Sequence, residues 1–154
     1  IFLYRGYKKV GKVFKIKPRT NRIPRNTSLL VHDILDEKFK KKFGWKARSE
    51  GVFVVGNASE AGTYSMGEVF LFFPAGNYKY IWSPTINDLY LYSDFIITMP
   101  EKFDKILESY TDKDLKKYMN NQTFYCKEIM FKCNEYYLVH VDFADLVLKK
   151  IRGW

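Results

Sequence analysis

The sequence predicts an α+β fold in one domain, residues 1–154, with two small, mainly antiparallel sheets packed around a cleft and flanking helices. Short β-branched and aromatic runs, separated by Gly, Pro and Asn, recur along the chain and are typical of strands. Segments with apolar residues at helical spacing lie between these runs. A length of 154 residues suits a single domain.

The N-terminal third contains two predicted strands and a long helix. Strands are predicted at 1–4 and at 10–16, and the lysines of the second are typical of a sheet edge. Two prolines exclude regular structure from 17–26. A helix is predicted over 27–43, with Asn26 or Thr27 as its cap, apolar residues at spacing four and Gly44 as its end.

The central stretch, 51–84, carries the clearest strand signals. Gly51 and Gly56 enclose the run Val52–Val55, and Asn57 can cap a short helix over 58–64. Two further runs, 69–73 and 78–82, are separated by Pro-Ala-Gly-Asn. A turn of this length predicts a hairpin.

The C-terminal third alternates helices with apolar runs. We predict a short strand at 95–98, a helix from Pro100 to Tyr110 and a second helix that ends near Met119. A last hairpin is predicted from 123–131 and 136–141, with its turn at 132–135. A terminal helix is predicted over 144–151.

Composition restricts the compartment and the partners. Hydrophobic residues make up 47% of the chain, which excludes a disordered chain, and no run approaches the roughly 20 apolar residues of a membrane span. No signal peptide is recognisable, and two cysteines form no disulfide framework, so a cytoplasmic protein without membrane contact is expected. The net charge of +9 favours polyanionic partners.

Basic residues are concentrated near the N-terminus. This basic segment has no acidic residue and carries Lys8, Lys9, Lys12, Lys15, Lys17, Arg19, Arg22 and Arg25. It could bind nucleic acid, or it could be a solvated face. The two histidines, His32 and His140, lie far apart in sequence and neither belongs to a zinc-type motif, so no metal site is predicted. A Ser-His-Asp set could form only through tertiary contact.

Three short motifs begin at Tyr4, Val52 and Lys127. In this order they resemble the three motifs of ADP-ribosyltransferases. Tyr4-Arg5-Gly6 is similar to the first motif, which bears an arginine. The strand Val52–Val55 with Gly56-Asn57 and the following helix resembles the second. Glu128, before a strand, a turn and a returning strand, resembles the third. The outline is also similar to small phage-encoded proteins of unassigned role.

The resemblance implies an NAD-dependent mono-ADP-ribosyltransferase. Glu128 would stabilise the positive charge that develops on the ribose, and Tyr64 would stack on the nicotinamide. The expected cofactor contacts are Arg5, Gly6, Phe53, Asn57, Arg19 and Arg22. Arg5, the end of the 52–57 strand and Glu128 should then line one cleft. The acceptor would be a host protein or nucleic acid, and the location the host cytoplasm or a virion.

Other roles are open for the same residues. Arg5 could form a structural ion pair, Glu128 could be a surface charge on an edge strand, and Tyr64 could pack in the core. The sequence also departs from the family: Val54-Val55 replaces the usual Ser or Thr of the second motif, and Cys126 stands two residues before Glu128. The alternative function is a basic nucleic-acid-binding or virion-associated protein without catalysis.

Overall fold

The computed structural model describes residues 2–24, 27–64, 67–119 and 127–151, without the side chains of residues 64, 147, 148, 150 and 151. Its strands are β1 Tyr4–Tyr7, β2 Val13–Ile16, β3 Val52–Val55, β4 Glu68–Trp82 and β5 Glu128–His140. Its helices are α1 Leu29–Phe43, α2 Ala47–Glu50, α3 Ala58–Tyr64, α4 Phe95–Thr98, α5 Pro100–Glu108, α6 Leu115–Tyr118 and α7 Val141–Ile151, with a 3₁₀ helix at Leu89–Tyr92.

The described strands form one antiparallel sheet, so the fold is α+β but the prediction of two separate sheets is wrong. Strand β4 pairs with one edge of β5, while β3 and β2 pair with successive parts of the other edge. Strand β1 pairs with both β4 and β3, which closes β5, β3, β1 and β4 into a ring. The two longest strands extend through the whole sheet and therefore join what the sequence divided.

Both predicted hairpins are instead single long strands that pair with each other. In β4 the Pro-Ala-Gly-Asn segment is a β-bulge, with a register shift between Ala75 and Tyr78 and a φ of +70° at Gly76. Glycine tolerates this left-handed backbone, and bulges accept a proline within a strand. The turn residues of the sequence are thus used to kink β4. Residues 123–126 of the second predicted hairpin lie outside the described residues.

Other element boundaries were predicted with mixed success. Strand β3 has the predicted bounds, and α1 ends at Gly44 with a φ of +87°, although its cap is Ser28. Strand β1 lies further along the chain than predicted, because its pairing with β4 runs from Tyr4 to Tyr7. The predicted strand at 95–98 is helix α4, which buries Ile96 against the helical layer.

Two apolar clusters lie on opposite sides of the sheet. The interior of the ring holds side chains such as Val54, Phe70, Ile129 and Leu138. A second cluster on the outer face of the sheet packs β-strand residues against the helices, and it includes Leu35, Phe39, Ile81, Leu89, Phe103 and Met130. Because side chains alternate along a strand, neighbouring residues of β5 such as Ile129 and Met130 belong to different clusters.

Candidate functional site

The three motif strands are neighbours in the sheet. Tyr4 of β1 pairs with Val55 of β3, and Val55 pairs in turn with Glu128, the first residue of β5. Segments that are more than one hundred residues apart in sequence therefore meet in one row. Paired residues share a face of the sheet, so Tyr4, Val55 and Glu128 lie on the same side.

Arg5 lies on the opposite side of the sheet from Glu128. It pairs with Phe70, whose side chain is in the ring interior, and it follows Tyr4, which shares the Glu128 side. Its Nη1 donates to the backbone carbonyl of Phe53 at 2.8 Å. It also lies against the buried Tyr136 hydroxyl, whose pKa is raised by burial and lowered by Arg5. The prediction that Arg5 and Glu128 line one cleft is wrong. Tyr4 lies in the row with Glu128, and Arg5, the next residue along β1, points to the opposite side of the sheet.

Glu128 is paired with an arginine that the sequence did not single out. The Arg48 Nη1 donates to Glu128 Oε1 at 3.0 Å, and the two side chains are 7% and 12% exposed. Burial raises the pKa of the Glu128 carboxyl and Asp88 raises it further, whereas Arg48 and Arg22 lower it. The carboxylate is thus not the surface charge of an edge strand that the sequence left open.

The guanidinium groups of two arginines lie over the Phe53 ring. The guanidinium carbon of Arg22 lies 4.1 Å from the ring centroid, and that of Arg48 lies 4.9 Å from it. Phe53 pairs with Met130 and therefore faces the same side as Glu128. We call Arg22, Arg48, Phe53 and Glu128 the Glu128 cluster. It combines an aromatic ring, two cations and one buried carboxylate.

A buried polar network holds the helix that carries Arg48. Asp36 Oδ1 of α1 accepts from the backbone N–H of Arg48 at 2.8 Å and of Ser49 at 3.1 Å. The Ser49 hydroxyl donates to Asp36 Oδ2, and His32 Nε2 lies 3.0 Å from the same hydroxyl. A serine, a histidine and an aspartate therefore do assemble here. The aspartate contacts the serine rather than His32 Nδ1, so the arrangement is not that of a catalytic triad.

The remaining predicted site residues lie elsewhere or have structural partners. Gly6 pairs with Val69 inside β1. The Asn57 side chain caps α3 as predicted, accepting from the N–H groups of Ser59 and Glu60. Arg19 is exposed on the segment before α1, and the Tyr64 side chain lies outside the described residues.

Some basic side chains of this segment contact other parts of the protein, and others are exposed to solvent. Lys15 pairs with Glu135 at 3.3 Å, and Lys12 lies over the Phe143 ring. Arg22 lies on Phe53, and its backbone N–H donates to the Ser49 carbonyl at 3.1 Å. The exposed members of the segment are Lys8, Lys9, Lys12, Lys15, Lys17 and Arg19, while Arg25 lies outside the described residues.

The Arg48 and Glu128 side chains of the Glu128 cluster are largely shielded from solvent, at 7% and 12% exposure. Two recesses of the surface lie elsewhere, one against α1 and an aromatic one of about 250 Å³ that includes Phe43, Trp45 and Tyr78. Neither of them is lined by Glu128, Arg48 or Arg22. Within the described ranges, no three His, Cys, Asp or Glu side chains are grouped to hold a metal ion. Nor does any helix in those ranges have the length and apolarity to cross a membrane.

Comparisons with protein-family models, with curated proteins and with solved structures found no match to this chain.

Proposed function

We propose that the chain is an NAD-dependent mono-ADP-ribosyltransferase whose reaction centre is the Glu128 cluster. The observation that carries the proposal is the row Tyr4–Val55–Glu128, in which the strands of the three motifs are neighbours and the third begins with a buried carboxylate. The acceptor would be a macromolecule, and a phage-encoded enzyme that modifies a host target remains our expectation.

The chemistry of the cluster fits cleavage of the nicotinamide–ribose bond. Positive charge develops on the ribose as this bond breaks, and a carboxylate in a site shielded from water stabilises that charge most strongly in the transition state. Guanidinium groups bind phosphate through paired N–H donors, which suits Arg22 and Arg48 to the pyrophosphate of NAD. The Phe53 ring offers a stacking surface for the nicotinamide.

The proposal assigns no cofactor contact to Arg5. A transferase that used Arg5 and Glu128 in one cleft is contradicted by their positions on opposite sides of the sheet. The physical requirement is a cation on the carboxylate's side, and Arg22 and Arg48 meet it. Because the Arg22 guanidinium lies over the Phe53 ring, NAD would have to displace this side chain to stack there.

Thermal unfolding with and without NAD tests the proposal. At an NAD concentration about 100 times its Kd, binding adds about 2.7 kcal/mol to the stability of the folded protein. In a domain of this size that raises Tm by about 5 to 10 °C. Arg22→Ala should reduce the shift, whereas Arg19→Ala should keep it, because Arg19 is an exposed arginine of the same segment. An absence of any NAD-dependent shift would contradict the proposal.

The exposed cations support a second candidate, a nucleic-acid-binding protein. Lys17 and Arg19 are exposed and precede Arg22 in the same segment, and Lys8 and Lys9 are exposed after β1. Each phosphate contact releases counterions, so binding through this segment should weaken steeply as salt rises. Reversal of Lys17 and Arg19 to Glu should reduce both the affinity for DNA or RNA and its salt dependence. The matched control reverses Lys40 and Lys41, which are exposed on α1.

A further inference from the structure

The backbone N–H groups at the start of α2 are bound by a side chain from another helix. α2 has only four residues, and its N-cap position, Lys46, makes no side-chain cap hydrogen bond. Arg48 and Ser49 occupy its second and third positions, whose N–H groups an N-cap side chain ordinarily binds. Asp36 of α1 accepts from both of them. The aspartate thus takes over the capping function across the interface between α1 and α2.

The other oxygen of Asp36 organises the two remaining polar side chains. A carboxylate can only accept, so the Ser49 hydroxyl gives its one proton to Asp36 Oδ2. Ser49 Oγ then accepts from His32 Nε2, which fixes the proton of the neutral imidazole on that nitrogen. His32 and Asp36 are 2% and 3% exposed, so these bonds are formed away from water.

We propose that Asp36 is a positioning residue for the Glu128 cluster: by capping α2 it holds Arg48 in the place where the guanidinium meets Glu128 and Phe53. The inference rests on the proposed function for its catalytic consequence, but not for its structural one. α2 is too short to be stable by its own hydrogen bonds, so its cap decides the direction of the Arg48 side chain. A displacement of about 1 Å in a catalytic group can cost on the order of 100-fold in rate.

The test is a titration of the Glu128 carboxyl that is monitored by carbon NMR in the protein without NAD. The charged and titratable groups that face Glu128 are Arg48 and Arg22, which lower its pKa, Asp88, which raises it, and the buried Tyr110. If Asp36 acted only through its negative charge, its removal would lower the pKa of Glu128. In Asp36→Ala the loss of Arg48 from the carboxyl should instead raise that pKa.

The sign of the shift separates positioning from a merely electrostatic or structural role. Asp36→Asn keeps an oxygen for the two backbone N–H groups and should restore a pKa for Glu128 close to that of the unmodified protein. Asp33→Ala, which removes an exposed aspartate from the same helix, should leave it unchanged. If Asp36→Ala does not fold, Asp36→Glu replaces it, since the longer side chain displaces the accepting oxygen and should also raise the pKa of Glu128.

An unchanged or lowered pKa of Glu128 in folded Asp36→Ala or Asp36→Glu would overturn the inference. The proposed function fails separately, through absence of NAD binding and transfer in the unmodified protein. Where transfer is present, Asp36→Ala should lower kcat on the order of 100-fold. Asp36→Asn should recover most of that loss, which a general loss of folded protein would not explain.

Discussion

Arg5 and Arg48 are two arginines that contact the same phenylalanine from opposite sides of the sheet. Arg5 reaches the Phe53 carbonyl from the ring interior, next to the buried Tyr136. Arg48 lies over the Phe53 ring on the outer side and pairs with Glu128. Motif order predicted which strands would be neighbours. The face of the sheet on which a side chain lies changes from one residue to the next along a strand. The motif Tyr4-Arg5-Gly6 therefore identified the correct strand but placed its arginine on the wrong face.

The largest expected effect concerns the outer side. Glu128→Gln keeps the size and hydrogen bonding of the side chain but removes its charge, so ADP-ribose transfer should fall on the order of 100- to 1000-fold. NAD affinity should change little, because the interaction grows mainly in the transition state. Single-turnover rates and NAD binding measured on the same preparation check this.

Glu135→Gln is the matched control for that loss. Glu135 lies in the same strand, but it pairs with the exposed Lys15. Its replacement should leave the transfer rate unchanged. Full activity in Glu128→Gln, or loss of activity in Glu135→Gln, would show that the carboxylate has been assigned to the wrong residue.

A second, smaller effect should separate the two arginines. Arg5→Met removes the donor to the Phe53 carbonyl and should destabilise the fold by about 2 kcal/mol, while the NAD-induced shift in Tm remains. Arg48→Met should strongly weaken NAD binding, and it also leaves Glu128 buried without its cation. Urea unfolding and NAD thermal shifts on both variants make the comparison. A loss of NAD binding in Arg5→Met alone would restore the cleft that the strand alternation excludes.

The smallest expected effect is a pH dependence of stability on the Arg48 side. Burial lowers the pKa of His32, so the folded protein holds a neutral ring where the unfolded chain becomes protonated. Stability from His32 is complete above the unfolded pKa of about 6.5 and is lost as pH falls below it. The free energy of unfolding, measured between pH 7.5 and 5, should fall as pH falls, and this dependence on pH should be weaker in His32→Gln. An unchanged pH dependence in folded His32→Gln would contradict this expectation.

Local signals predicted elements well where one segment carried the whole instruction. The β-branched run between Gly51 and Gly56 forms β3 with the predicted bounds, and the Asn57 cap is present. The hairpin predictions failed because residues typical of turns also occur at bulges, and Pro74 to Asn77 lie at the register shift within β4. In β5, Phe131 and Leu138 are seven residues apart and both face the ring interior, although strict alternation would place them on opposite faces. The bulge in β4 accommodates this change of face.

The Glu128 cluster could be predicted only in part. Glu128, Phe53 and Arg22 were named as site residues, and the structure brings these three together. Arg48 was missed because its partner lies 80 residues away and its local sequence contains no motif. Asp36 was missed for the same reason, since its role as a cap for α2 depends on how α1 packs. Neither the spacing nor the composition of the sequence contains such long-range pairings.

The bulge between Ala75 and Tyr78 also determines how β4 and β5 can slide past each other. On one side of it Phe72 faces Leu138, and on the other Tyr80 faces Phe131. The pairing register of these two halves differs by one residue, so no register of β4 on β5 other than the observed one satisfies both halves at once. Misaligned pairings are therefore excluded without any help from a hairpin turn. Deletion of Asn77 would remove this protection and allow one half to bury its interior side chains only at the expense of the other.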